Sequence, residues 1–278
     1  MTLACNNLTL AYYSGKNGKK NHSRVPVLTA VDLEIERGQV LVLQGPNGSG
    51  KSTLMKAMAR QLRPQAGTVT LDDRDIWQLH VQTFAQKIAY VPQTLTAPQF
   101  MTVYELVALG RSPHQKLFQL SLSDNDRGLI DSAMSRCGVD GLQDKLVSQL
   151  SGGERQRTVI AMALTQGPDY LLLDEPTASL DFRYQLELID LLGQLKEDGL
   201  GIGLILHDLN IAAQLADKIA LIASEETANN GGAKVSRIVA QGTVAAVLER
   251  EILQRVFAVD IEILKGVGKD VYLPTRLK

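Results

Sequence analysis

The stretch Gly45-Pro46-Asn47-Gly48-Ser49-Gly50-Lys51-Ser52-Thr53 constrains this chain more than any other. It fits G-x-x-x-x-G-K-[ST], follows the apolar run Val40-Leu41-Val42-Leu43 and leads into a helical stretch, Leu54 to Leu62. Each residue type has a physical reason to be there. Glycines let consecutive backbone N–H groups converge on a polyphosphate without Cβ clashes. The helix that follows turns its positive end to the same anion. Lys51 is placed to reach the β- and γ-phosphates, and the Ser52 hydroxyl to coordinate Mg²⁺. A strand before, a helix after and a full match together predict a nucleoside triphosphate site.

Two further runs, Tyr170-Leu171-Leu172-Leu173 and Leu204-Ile205-Leu206, are as short and apolar as Val40 to Leu43. Runs of this kind suit strands buried on both faces of a parallel sheet. Helical patterns lie between them. Ser123-Asp124 can cap a helix with Ile130, Ala133, Met134 and Cys137 on one face and Gly138 as its stop, which makes Cys137 a core residue. Near the start, Leu8 to Tyr12 and Leu28 to Ile35 read as strands around a polar, basic loop, 14–24. The run ending in Leu173 is followed by Asp174 and Glu175. An acid at the C-terminal end of a buried strand falls beside the phosphate loop in such a sheet, so Asp174 is expected to hold Mg²⁺. Glu175, one residue on, is expected to polarise an attacking water.

Leu150-Ser151-Gly152-Gly153-Glu154-Arg155-Gln156-Arg157 has no ready explanation as a loop alone. A serine and two glycines opening a helix make a second anion-binding terminus. Two cradles cannot serve one γ-phosphate unless they face each other across an interface. With these residues between a phosphate loop and an acidic strand, the chain resembles the ATP-binding subunits of ABC transporters, and Leu150 to Gln156 is similar to that family's signature motif. The resemblance runs from about Leu3 to Val259.

The resemblance implies further roles. Gln93, in Tyr90-Val91-Pro92-Gln93, matches the family's Q-loop glutamine, implied to contact Mg²⁺ and to sense the membrane partner. Ser179-Leu180-Asp181 matches the D-loop, and His207 matches the switch histidine, implied to contact the γ-phosphate. Tyr12 fits the aromatic that stacks on adenine, with Tyr13 beside it as the alternative. His22, His80 and His114 lack metal-ligand spacing and are read as surface or structural residues. The chain departs from the family pattern in the long loops 14–24 and 224–236. The implied fold is α/β: a P-loop NTPase core of mostly parallel sheet flanked by helices, with an N-terminal antiparallel β subdomain and an inserted α-helical subdomain. Its expected parts are a core at about 1–95 and 165–258, a helical subdomain with the signature at about 96–164, and a C-terminal tail at about 259–278.

Composition limits the setting. The balance of 29 Lys+Arg against 30 Asp+Glu argues against reliance on a large basic surface for nucleic acid, and two cysteines, Cys5 and Cys137, build no disulfide framework. No signal peptide and no run of 18 apolar residues is found, so any membrane part is expected in another polypeptide. Met101 to His114, Leu206-His207-Asp208-Leu209-Asn210 and Val256-Phe257-Ala258-Val259 are similar to the branch of the family that energises import of iron–siderophore complexes, haem and cobalamin. The resemblance therefore implies an ATPase working with Mg²⁺ as a head-to-tail homodimer on transmembrane permease subunits, indirectly with a substrate-binding protein, at the cytoplasmic face of a bacterial inner membrane. Each ATP would lie between Gly45–Thr53 of one copy and Ser151, Gly152, Gly153 and Glu154 of the other. Iron(III)-siderophore is the expected cargo, with haem or cobalamin as alternatives. A soluble ABC ATPase acting as scaffold or in metal-cluster assembly is the reading from another class. DNA-repair relatives are excluded because no long heptad insertion lies between Lys51 and Ser151.

Overall fold

The computed structural model describes residues 1–14, 23–94, 98, 100–115, 121–178, 180–226, 234–266 and 270–275. Most of the loops 14–24 and 224–236, together with His22 and Ser179, lie outside the described residues. The chain opens with strands β1 (Thr2–Ser14), β2 (Ser23–Glu36) and β3 (Val40–Gln44), then helix α1 (Lys51–Met58). Strands β4 (Ala66–Leu71) and β5 (Arg74–Asp75), helix α2 (Val81–Lys87) and strand β6 (Ile88–Val91) follow. Three helices come next, α3 (Val103–Ala108), α4 (Asp124–Arg136) and α5 (Gly152–Thr165). Strand β7 (Tyr170–Asp174), helix α6 (Phe182–Glu197), strand β8 (Gly201–Ile205) and helix α7 (Leu209–Leu215) return the chain to the sheet. It ends with β9 (Lys218–Glu226), β10 (Lys234–Gly242), α8 (Val244–Val247), α9 (Arg250–Phe257), β11 (Asp260–Leu264) and β12 (Val271–Thr275).

One sheet of ten strands, in the order β5-β4-β1-β2-β10-β9-β3-β8-β7-β6, carries the fold. From β9 to β6 neighbouring strands are parallel. The pairs β1–β2, β1–β4, β4–β5 and β9–β10 are antiparallel. The parallel core and the N-terminal antiparallel subdomain thus share one continuous sheet. Successive side chains of a strand point to opposite faces, and β3 divides its residues that way. Val40 and Val42 join the core beneath α5 and α6, while Leu41 and Leu43 join the one formed by α1, β1 and β2. The three inserted helices pack on the first of these faces through Val103, Val107, Ile130, Met134 and Val159.

Ser123 caps α4 with a capping box closed by Asp126, and Gly138 at φ +59° stops it, as the pattern predicts. Cys137 is buried, and burial pushes its thiol up to about 12. Several boundaries differ from the sequence reading, beginning with the first two strands, which start at Thr2 and Ser23 instead of Leu8 and Leu28. The helix after the phosphate loop runs from Lys51 to Met58 instead of from Leu54 to Leu62. Gly50 at φ +94° is its N-cap, and Arg60 at φ +58° lies in a left-handed conformation that no α-helix continues through. The third core strand is Gly201–Ile205, not Leu204 to Leu206. Its glycines make room for neighbours, since a Cβ on Gly201 would lie 2.5 Å from the Tyr170 ring and one on Gly203 would lie 2.8 Å from Leu172. The expected C-terminal tail contains the β11–β12 hairpin, which buries Ile261 and Tyr272 in the main core. Among the described residues no helix is long and apolar enough to cross a membrane.

Candidate functional site

The phosphate loop leaves the end of β3 at Gly45, whose φ of +146° is open to glycine alone; a Cβ there would lie 2.0 Å from the carbonyl oxygen of Ile222. Gly48 at φ +77° and Gly50 at φ +94° complete the curl, and a Cβ on Gly50 would press on Leu28 at 2.9 Å. Pro46 accepts from the Ser49 N–H at 3.2 Å, closing the loop's own turn. Lys51 is buried, and its Nζ donates to the carbonyls of Gly45 at 2.8 Å and Pro46 at 3.0 Å. An ammonium has three donors, so one remains for an anion. Burial lowers the Lys51 pKa, and the charges of Glu175 and Asp174 oppose that shift. The Ser49 hydroxyl is buried in the same loop without a partner among the described residues. A buried polar atom of that kind needs an explanation, and a polyphosphate in the cradle supplies one.

A cleft of about 310 Å³ opens above the loop between Tyr12, Val27, Asn47, Thr53 and Glu175. That is within the range of small-ligand sites. The half-exposed Tyr12 ring stands at its rim, with its hydroxyl 3.3 Å from Thr53 Oγ1.

Asp174 ends β7 beside this loop. It is buried and accepts from Ser52 Oγ at 3.1 Å and from the Tyr90 hydroxyl at 3.3 Å. Burial raises its pKa, with the Glu175 charge adding to the effect and the two hydrogen bonds working against it. Burial beside Asp174 likewise raises the pKa of Tyr90. Glu175 follows with a left-handed backbone, φ +52°, unusual for a residue with a Cβ. Its two carboxylate oxygens are divided: Oε2 accepts from Gln93 Nε2 at 2.5 Å and Oε1 meets His207 Nε2 at 2.6 Å. Thus the ends of β3, β6, β7 and β8 deliver Lys51, Ser52, Gln93, Asp174, Glu175 and His207 to one place, the C-terminal edge of the parallel strands.

The residues expected to form the signature stand elsewhere. Ser151 caps α5 by accepting from Glu154 N–H at 3.2 Å, and Glu154 Oε2 accepts from Ser151 N–H at 2.8 Å. The first of these partners for Glu154, the Ser151 backbone, holds its carboxyl below the ordinary range. Ser151 and Gly152 are exposed, and among the described residues none of this turn lines the cleft. Gly153 is buried against α6, where a Cβ would lie 2.8 Å from the Tyr184 ring. Asp181 caps α6 by accepting from Tyr184 N–H at 3.0 Å.

Sequence reasoning passed over Tyr90, Tyr184 and Arg111. Tyr90 sits in the same four residues as Gln93, so its place beside the site was within reach; the other two act through partners distant in sequence. Of the remaining histidines, His80 caps α2 and His114 lies 2.7 Å from the Gln166 carbonyl.

Comparison with known proteins identifies the family. The family model for ABC transporters matches residues 28–178. An iron(3+)-hydroxamate import ATP-binding protein of Bacillus subtilis is 40% identical over 86% of this chain and 84% of its own length. A hemin import ATP-binding protein of Rhodococcus jostii is 37% identical over 90% of this chain and 82% of its own. The dimeric structure of a post-hydrolysis ATP-binding cassette bound to ADP and Pi superposes with a TM-score of 0.70, is 25% identical, and covers 88% of this chain and 99% of that one. On matches of this extent, the chain belongs to the ABC transporter family.

Proposed function

We propose that this ABC ATPase powers uptake of an iron(III)-siderophore through a bacterial inner-membrane importer. The single observation that carries the hydrolytic part is the Glu175 carboxylate held between Gln93 and His207 at the mouth of the phosphate loop. The cargo part is supported by 40% identity to an iron(3+)-hydroxamate import subunit. The 37% identity to a hemin import subunit favours haem as the second reading.

The loop amides and the third donor of Lys51 bind the β- and γ-phosphates, with Tyr12 as the adenine contact. Pro46, Asn47, Gly48, Ser49 and Thr53 shape the cradle. Ser52, Asp174 and Gln93 offer the hard oxygen ligands that Mg²⁺ takes beside phosphates, and Ser52 Oγ lies 3.1 Å from Asp174 Oδ1, so the donor set fits the ion. When bound, Mg²⁺ would neutralise phosphate charge. Glu175 accepts a proton from the attacking water, and His207 and Gln93 hold the carboxylate in the orientation that this requires. Hydrolysis in this site depends on positioning and charge stabilisation more than on covalent chemistry.

Ser151 to Glu154 cannot serve the cleft of their own chain from where they stand, which supports a head-to-tail homodimer with each signature turn completing the partner's site. Closing on ATP and reopening after hydrolysis would drive transmembrane permease subunits by differential binding of the two states. The helical subdomain, about 96–164, would receive them; Phe100, 89% exposed, and Leu109, 46% exposed, are apolar side chains available there. Binding to the permease would place the chain peripherally on the cytoplasmic face, served indirectly by a substrate-binding protein. Co-purification in detergent with a polytopic permease, together with growth of a deletion strain on single iron sources, tests this reading. Rescue on a ferric siderophore supports it, rescue on haem alone selects the second reading, and capture of soluble partners only contradicts both.

A further inference from the structure

Of the two late stretches singled out in the sequence, Leu206 to Asn210 is tied to the hairpin that follows the other, Val256 to Val259. Ala258, at φ +54° in the C-cap of α9, turns the chain into β11 and lays the β11–β12 hairpin beside α7. Asn210, in the first turn of α7, spends both ends of its amide on one residue of that hairpin. Its Oδ1 accepts from the Tyr272 N–H at 2.8 Å, and its Nδ2 donates to the Tyr272 carbonyl at 3.2 Å. An amide matched in this way imitates a neighbouring strand. The hairpin itself is anchored, because Ile261 and Tyr272 share a core with Ala212 and Leu215 of α7.

The same helical turn is held from the other side. Asp208 caps α7 by accepting from Asn210 N–H at 2.7 Å and Ile211 N–H at 3.1 Å. Its own carbonyl accepts from Gln44 Nε2 at 3.3 Å, one residue before the phosphate loop. His207 stands immediately before Asp208, with its side chain nearly half exposed and bonded to Glu175. Little packs around the imidazole to place it. Its position follows from the turn after it, which Gln44 fixes on one side and Tyr272 on the other.

We propose that Asn210 is a positioning residue: by pinning the C-terminal hairpin to the first turn of α7, it keeps His207 in register with Glu175. The hairpin is then part of the hydrolytic apparatus although none of its described residues lines the cleft. This inference rests on the reading of Glu175 and His207 as the hydrolytic pair.

The test uses the full chain with Asn210→Ala and Asn210→Asp. ATPase rate is measured against ATP concentration, and the ring nitrogens of ¹⁵N-labelled histidines are followed by NMR, with His207→Gln assigning the His207 signal. Loss of two hydrogen bonds of ordinary strength predicts kcat about 10-fold lower in Asn210→Ala. Half-saturation by ATP should stay within about twofold, because the phosphate loop is untouched, and the His207 Nε2 signal should move to that of a free imidazole. Asn210→Asp keeps an acceptor for Tyr272 N–H and loses the donor, so it should fall between; it also carries the test if the alanine variant does not fold. A role in stability alone would lower the melting temperature while leaving kcat and the His207 signal as in wild type, and that result overturns the proposal. A wild-type chain without ATPase activity would count against the hydrolytic reading, and the His207 signal would still decide the clamp.

Discussion

Glu175 Oε1 and His207 Nε2 lie 2.6 Å apart, and Glu175 reaches that contact from a left-handed backbone at φ +52°. The pair lies just past the ends of two neighbouring parallel strands, β7 and β8, with the turn that opens α7 directly after the histidine. His207→Ala removes the group that orients the carboxylate and leaves the phosphate loop intact. Steady-state ATPase assays should show kcat reduced by about 100-fold, in the range for a lost acid–base partner, with ATP affinity changed by less than about threefold.

The backbone of Glu175 makes a separate prediction. A left-handed conformation costs a residue with a Cβ about 1 kcal/mol more than glycine. Glu175→Ala and Glu175→Gly lose the same carboxylate contacts and differ in that strain. Urea unfolding should find the glycine variant more stable than the alanine variant by about 1 kcal/mol, with both inactive. Equal stability would mean that the turn relaxes without strain.

In the helical subdomain, Arg111 Nε donates to Asp126 Oδ1 at 2.7 Å and Arg111 Nη1 to the Thr165 carbonyl at 2.8 Å, all buried. The Ser123 hydroxyl first, then the Arg111 guanidinium, hold the Asp126 carboxyl at about 2, below its ordinary 3.8. A lowered pKa gives stability that is complete above the unfolded value and lost as pH falls towards the folded one. Wild type should therefore gain stability between pH 2 and 4 that Asp126→Asn lacks, and the two should run parallel above about pH 5. At neutral pH the variant, with an unpaired buried guanidinium, should be destabilised by roughly 3 kcal/mol in urea unfolding.

Gly153 and Tyr184 are matched in shape. Gly153→Ala puts a methyl 2.8 Å from the ring and should destabilise the chain by about 1–3 kcal/mol through overpacking. In a Tyr184→Ala background the ring is gone, and the same methyl should cost about 1 kcal/mol less or better, a coupling of the size expected for side chains in contact. Additive effects in thermal or urea unfolding would contradict the contact.

How much of this was legible in the sequence follows from the range of each interaction. Gly45 to Thr53 could be read because strand, loop and helix are contiguous, and Asp174-Glu175 because an apolar run points at them. The apolar pattern places the strand Gly201–Ile205 too late in the chain. Its glycines speak against a strand until the side chains of Tyr170 and Leu172 that fill their space are known. The left-handed backbone of Glu175 leaves no mark in residue type. Arg111 finds Asp126 15 positions away and Asn210 finds Tyr272 62 positions away, and no local pattern encodes either pairing. The hairpin Asp260–Thr275 alternates only weakly and contains Pro274, which hid its strands. Where the signature turn lies relative to the cleft is likewise a property of the folded chain.

The central claim is a site completed by two copies, with Glu175 as the base. Glu175→Gln keeps the size of the side chain at the edge of the cleft while removing the proton acceptor. Sedimentation of this variant with and without Mg²⁺-ATP, alongside its ATPase rate, tests the claim most directly. The account predicts no turnover and a dimer that forms only when ATP is present. Wild-type hydrolysis by this variant, or a monomer at saturating ATP, would contradict it.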